Sequence, residues 1–164
     1  MNLGQARSKS PTSAVLVDAF KAAGAAAAAN FQTNGTVIFP TGDVENLIAR
    51  VRPLLSAATG YTDAVMVRNG TWVAELGRRL DAALPSGEVA LFDSPVAPSL
   101  DRPWLDTEGG VTILEFDRLH AVTSWAGTGT GSSSSNPMLT LMIGVPVTCR
   151  GVPTMIRLAT RLSR

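Results

Sequence analysis

A chain of 164 residues, 45% apolar and only 16% charged, is long enough for one folded domain and too apolar to stay disordered. Its net charge of +1 excludes a global basic field of the kind that announces nucleic acid. Its single cysteine, Cys149, excludes an internal disulfide framework and a cysteine-rich metal site.

A surface this poor in charge has to be covered by Ser, Thr, Gly and Asn or by other protein, which favours a chain that works in an assembly. Of the 14 basic residues only Lys9 and Lys21 are lysine, and the other twelve are arginine. Arginine suits interface ion pairs and phosphate forks, although a GC-rich coding sequence produces the same bias. Residues 1–13 contain no apolar core, so no secretory signal is expected, and the default compartment is a reducing one. The longest apolar runs, such as 141–147, fall far short of the roughly 20 residues of a spanning helix.

In chain order, residues 1–11 read as a polar, mobile arm, and the Ala-rich segment 12–29 as helix-permissive, with Val15, Leu16, Ala19, Phe20 and Ala23 at helical spacing. Residues 36–39 form a short β-branched run after Asn34-Gly35. The best helix starts at a cap on Thr41 or Asp43 and aligns Val44, Leu47, Ile48, Val51, Leu54 and Leu55, with a kink or break expected at Pro53. Residues 64–67 are a strand candidate, 72–84 a helix and 89–92 a strand. A proline-punctuated loop through Pro95, Pro98 and Pro103 follows.

From residue 109 the pattern predicts β-structure: 111–116, then the alternating Leu119, Ala121, Thr123 and Trp125. The polar stretch 127–136 would be an exposed loop. Leu139, Leu141, Ile143, Val145 and Val147 fall at every second position and predict a strand. Residues 155–162 fit both periods. The strand reading is taken because the segment follows another strand through a short turn.

Catalytic patterns are missing. His120 is the sole histidine and has no flanking motif, so it reads as an interface or half-buried strand residue. The Gly-rich stretch 127–131 has no lysine and leads into no helix, unlike a phosphate loop. Asp101, Asp106 and Glu108 match no calcium-loop spacing and read as a solvated acidic loop. Trp72, Trp104 and Trp125 are too scattered to make a base-stacking platform and read as core or interface anchors. Arg157, Arg161 and Arg164, with Arg7 and Lys9, are the candidate set for neutralising RNA phosphates without reading sequence; an ordinary solvated face is the alternative.

Three segments resemble the coat proteins of small icosahedral plant RNA viruses, the tymovirus-like group above all. Residues 88–98 (EVALFDSPVAP) look like a mid-barrel strand entering a proline-rich loop. Residues 139–147 (LTLMIGVPV) followed by 154–162 (TMIRLATRL) look like the closing strands of a jelly roll. The short, weakly basic N-terminus and the end of the sequence soon after the last strand are similar too.

The resemblance implies a mainly β fold, a single antiparallel jelly-roll β-sandwich with short helices in its connections. A partly helical arm over 1–30 would precede a shell domain over 31–164. It further implies a non-enzymatic capsid protein, without cofactor, metal or membrane partner, found in the virion and in the host cytoplasm during assembly. Many copies would close around RNA held by non-specific contacts. A rival reading takes 36–92 as β-α-β-α-β on a parallel sheet, with a ligand near Thr41-Gly42 or Asn69-Gly70. A third is a structural module that oligomerises without nucleic acid.

Overall fold

A computed structural model describes residues 9–63, 65–80, 87–97, 104–106, 110–125 and 135–164, with the backbone only at 104–106 and Trp125. The chain divides into two compact units, Met1–Val65 and Met66–Arg164.

The first unit pairs two helices with a small hairpin. Helix α1 (Ser13–Ala22) starts where the Thr12 hydroxyl accepts the amide of Val15, and its buried stripe is Leu16, Ala19 and Phe20. Strands β1 (Ala29–Phe31) and β2 (Thr36–Ile38) pair antiparallel. Helix α2 (Val44–Thr59) is capped by the Asp43 carboxylate and closed by Gly60 in the left-handed region. Leu47, Ile48, Val51 and Leu55 are its buried face, and α1 packs on it. Arg50 ties the two helices together by donating from Nε to the carbonyl of Ala23 at 2.9 Å. The break expected at Pro53 does not occur. Pro53 is exposed, so water can meet the Ala49 carbonyl that it leaves unbonded.

The second unit is an antiparallel sheet with helices on both faces. Its strands are β3 (Glu88–Phe92), β4 (Trp104–Asp106), β5 (Val111–Phe116), β6 (His120–Trp125) and β7 (Val147–Gly151), in the spatial order β4-β5-β6-β3-β7. The register sorts the side chains. Ala90, Phe92, Ile113, Phe116, Ala121 and Val147 share one face, where Leu139 of helix α4 (Asn136–Ile143) completes their core. Val89, Leu91, His120 and Val122 share the other, beneath helices α3 (Gly70–Arg79) and α5 (Val152–Leu162). Val89, Ala90 and Phe92 of β3 are fully buried because this strand has neighbours on both sides and cover on both faces.

The mainly β jelly roll is overturned: the chain is mixed α and β, with five helices and two small sheets among its described residues. Two segments account for the error. The alternation from Leu139 to Val147 spans helix α4, which starts with Pro137 in its first turn and ends at Gly144 with φ +70°. Almost every residue there is apolar, so both periods fit. The structure buries Leu139 and leaves Leu141 88% exposed. Residues 155–162 are helical as well, and Pro153 sits in the first turn of α5. Residues 65–67 make no strand, β2 and β3 lie in different sheets, and every described strand pair is antiparallel, so the parallel β-α-β-α-β order is absent among the described residues.

Helices α3 and α5 meet at Gly77. A β-carbon there would run into the Cβ of Ala159 and come within 3.2 Å of the Met155 carbonyl. Gly77→Ala is therefore expected to destabilise the protein by about 1–3 kcal/mol despite alanine's better helix propensity. Urea denaturation of the two proteins measures this, and an unchanged or raised midpoint would contradict it.

Candidate functional site

Helix α5 carries two of the residues singled out for phosphate contact, Arg157 and Arg161. Val152, Met155, Leu158 and Ala159 are its buried stripe, and each turn that buries one of them presents another side outward. Arg157 and Arg161 stand at i and i+4, on one side of the helix, and Arg164 follows the Ser163 cap; all three are exposed. Residues 152–164 contain no acidic side chain, and no carboxylate side chain among the described residues lies within 4.0 Å of these guanidiniums. Arg157 donates to the Thr154 hydroxyl at 3.2 Å. The helix, like the strand reading, keeps Arg157 and Arg161 on one side. Arg78, exposed in the last turn of α3, belongs to the same helical layer. Lys9 lies in the first unit, its side chain close to Gly60. Arg7 lies outside the described residues, as do Asp101, Glu108 and the side chains of Asp106, Trp104 and Trp125.

A second cluster surrounds His120, which is 1% exposed and the first residue of β6. A bulge between Ile113 and Glu115 lets Glu115 pair with Val122, which turns its carboxylate to the His120 face. His120 Nε2 lies 3.0 Å from Glu115 Oε1, and Arg79 reaches the same oxygen at 3.2 Å. On the other side of the ring, Asp117 Oδ1 is 2.9 Å from Nδ1. That oxygen already accepts the amides of Leu119 at 2.7 Å and His120 at 3.1 Å, which tightens the β5–β6 turn. Trp72 meets the imidazole edge-on, with centroids 5.3 Å apart.

Arg68 supports this turn from outside. It donates to the carbonyls of Val67 (2.7 Å), Leu119 (3.0 Å) and Phe92, and its guanidinium lies 5.9 Å from the Trp72 ring centre. Burial holds its pKa below the usual arginine value, against the opposing pull of Asp93 and Asp117. Burial by itself would raise the Asp117 carboxyl. The two backbone amides and the neighbouring imidazole outweigh it and leave that pKa below the usual aspartate value.

The other sheet face holds a separate polar network. Glu88 Oε2 accepts the amide of Ser135 at 2.8 Å and its hydroxyl at 2.9 Å; the Thr123 hydroxyl donates to Ser135 at 3.2 Å, and Cys149 Sγ is 3.4 Å away. This network anchors the start of α4. Because Cys149 and His120 occupy opposite faces, the sheet keeps this thiol and hydroxyl away from the imidazole.

The ligand positions of the parallel-sheet reading are local turn devices: the Thr41 hydroxyl accepts the Asp43 amide and Asn69 Oδ1 that of Thr71. In the first unit a cavity of about 260 Å³ lies among Arg52, Leu55, Tyr61 and Asp63. It is smaller than the usual range of small-molecule sites, about 300–1,000 Å³. No helix among the described residues is long and apolar enough to cross a membrane.

No protein-family model, no curated protein and no solved structure matches this chain.

The Arg68, Trp72, Glu115 and Asp117 surroundings of His120 were not legible in sequence. The spacing E-F-D-R-L-H is too common to single out, and Arg68 lies 52 positions before His120. Arg68→Leu removes a charged donor from three carbonyls and is expected to cost about 2–4 kcal/mol in urea denaturation. Arg68→Lys should recover only part, since one ammonium cannot span the same acceptors. Wild-type stability in Arg68→Leu would show that the carbonyls find water instead.

Proposed function

We propose that this protein is a non-catalytic structural protein whose C-terminal unit binds the phosphate backbone of nucleic acid through α5. The observation that carries the reading is the exposed pair Arg157 and Arg161 on α5, with exposed Arg164 just past its end and no acidic residue over 152–164. Three guanidiniums in a row neutralise phosphates as fixed, permanently charged forks and read no base sequence. The same helix is poorly suited to an acidic membrane surface. Its apolar face is committed to the core, so what it offers outward is charge without an apolar side to enter a bilayer.

A viral coat is a narrower form of this reading. It drew on strands at 139–147 and 154–162, where helices α4 and α5 stand, so its support is now the low charge of the chain and the arginine stripe. Assembly enters the test as an outcome.

Binding of a fluorescent single-stranded RNA of mixed sequence, followed across salt concentrations, tests the proposal. Arg157→Gln/Arg161→Gln/Arg164→Gln is expected to weaken binding at least ten-fold at low salt. It should also flatten the log affinity against log salt slope by about 2. Stability should change by less than about 0.5 kcal/mol, because the three side chains are exposed. Equal binding by both proteins, or none by the wild type, would sink the reading. Uniform large particles in negative stain would favour the coat form, and a small species at all salt concentrations would count against it.

A further inference from the structure

The contacts of His120 hold an unresolved electrostatic conflict. Both ring nitrogens face carboxylate oxygens, Nε2 at 3.0 Å from Glu115 and Nδ1 at 2.9 Å from Asp117. A neutral imidazole has one N–H to give. The Nε2 contact has hydrogen-bond geometry. Nδ1 is fully buried and makes no contact of hydrogen-bond geometry. An unprotonated ring nitrogen held that close to a carboxylate oxygen is repelled by it unless a positive charge lies between them.

We propose that His120 and Asp117 hold a divalent transition-metal ion, with Glu115 as the outer carboxylate that orients the ring. Three observations carry this. The 2.9 Å between Nδ1 and Asp117 Oδ1 matches the roughly 3 Å between adjacent ligand atoms when each is about 2.1 Å from a six-coordinate ion. Glu115 stands on the far nitrogen, where a carboxylate receives the N–H of a metal-bound imidazole. It is there because the bulge beside Leu114 turned it onto that face, at the cost of leaving Leu114 exposed. Asp117, Glu115 and His120 also lie close enough for one ligand atom of each to fall within 4.8 Å of the others.

Mixed imidazole and carboxylate ligands suit Zn²⁺, Mn²⁺, Co²⁺ or Ni²⁺. Asp117 and Glu115 are partly open to solvent, so the remaining positions belong to water and the ion is exchangeable. Arg79 on Glu115 is 59% exposed, and an ion pair of that kind is weak enough to yield when a cation arrives. This site is separate from the arginine stripe and does not depend on the nucleic-acid reading.

One histidine in the chain makes the test unambiguous. Tag-free protein labelled with ¹⁵N is titrated with Zn²⁺ while the His120 ring nitrogens are followed by NMR at neutral pH. The expected result is a shift of Nδ1 that saturates at one equivalent, with Nε2 still protonated. Asp117→Asn should weaken Zn²⁺ at least ten-fold, and Glu115→Gln should weaken it less. Ring signals that ignore excess Zn²⁺, or a ring bearing protons on both nitrogens that Zn²⁺ does not displace, would overturn the proposal and leave a second proton as the charge between His120 and Asp117. The wild-type titration decides the matter even if a variant fails to fold.

Discussion

The close crossing of α3 and α5 at Gly77 is the contact on which the second unit depends. Without a side chain at that position the two helices can seat against each other and then together on the β3–β6 side of the sheet. Seating α5 there hides Val152, Met155, Leu158 and Ala159, and the geometry of a helix then leaves Arg157 and Arg161 no direction but outward. Seating α3 there lays Trp72 over His120 and brings Arg79 to Glu115. One missing β-carbon thus positions both the basic surface and the lid of the histidine cluster.

The sheet beneath these helices separates two kinds of polar chemistry. On the α4 face, Glu88, Ser135 and Thr123 satisfy one another and fasten a helix. On the opposite face the charges are unlike and crowded: Glu115 and Asp117 flank the ring, with Arg68 and Arg79 behind them. Buried polar groups are stabilising only when each is matched. The first network meets that condition within the protein, and the second leaves His120 Nδ1 and Arg68 Nε without a hydrogen bond. Position along β3 and β6 decides which is which, because neighbouring residues on a strand point to opposite faces.

Much of the local structure was legible in the sequence. The existence of α2 and α3 and of the strands around 89–92, 111–116 and 120–125 follows from period and turn residues that agree with one another, although the helix expected over 72–84 stops at Arg79, where Leu80 turns extended. The errors fell where apolar residues are continuous. Over 139–147 the alternating set Leu139, Leu141, Ile143, Val145 and Val147 is a strand by period, yet Met138, Met142, Pro137 and Gly144 fit a capped helix equally. Over 155–162 the arginines suit either form. A jelly roll built on those two segments could not survive their being helical.

By itself the sequence determined the start of α2 at its cap, several turn residues and the presence of a basic C-terminal segment with no acid in it, because these rest on contacts within about four residues. Tertiary structure decided which faces were buried. It made Leu139 core and Leu141 surface, turned Glu115 through a bulge toward His120, and brought Arg68 to a turn some fifty residues later in the chain. Those outcomes depend on what packs where, and a residue's own neighbours in sequence do not carry that information.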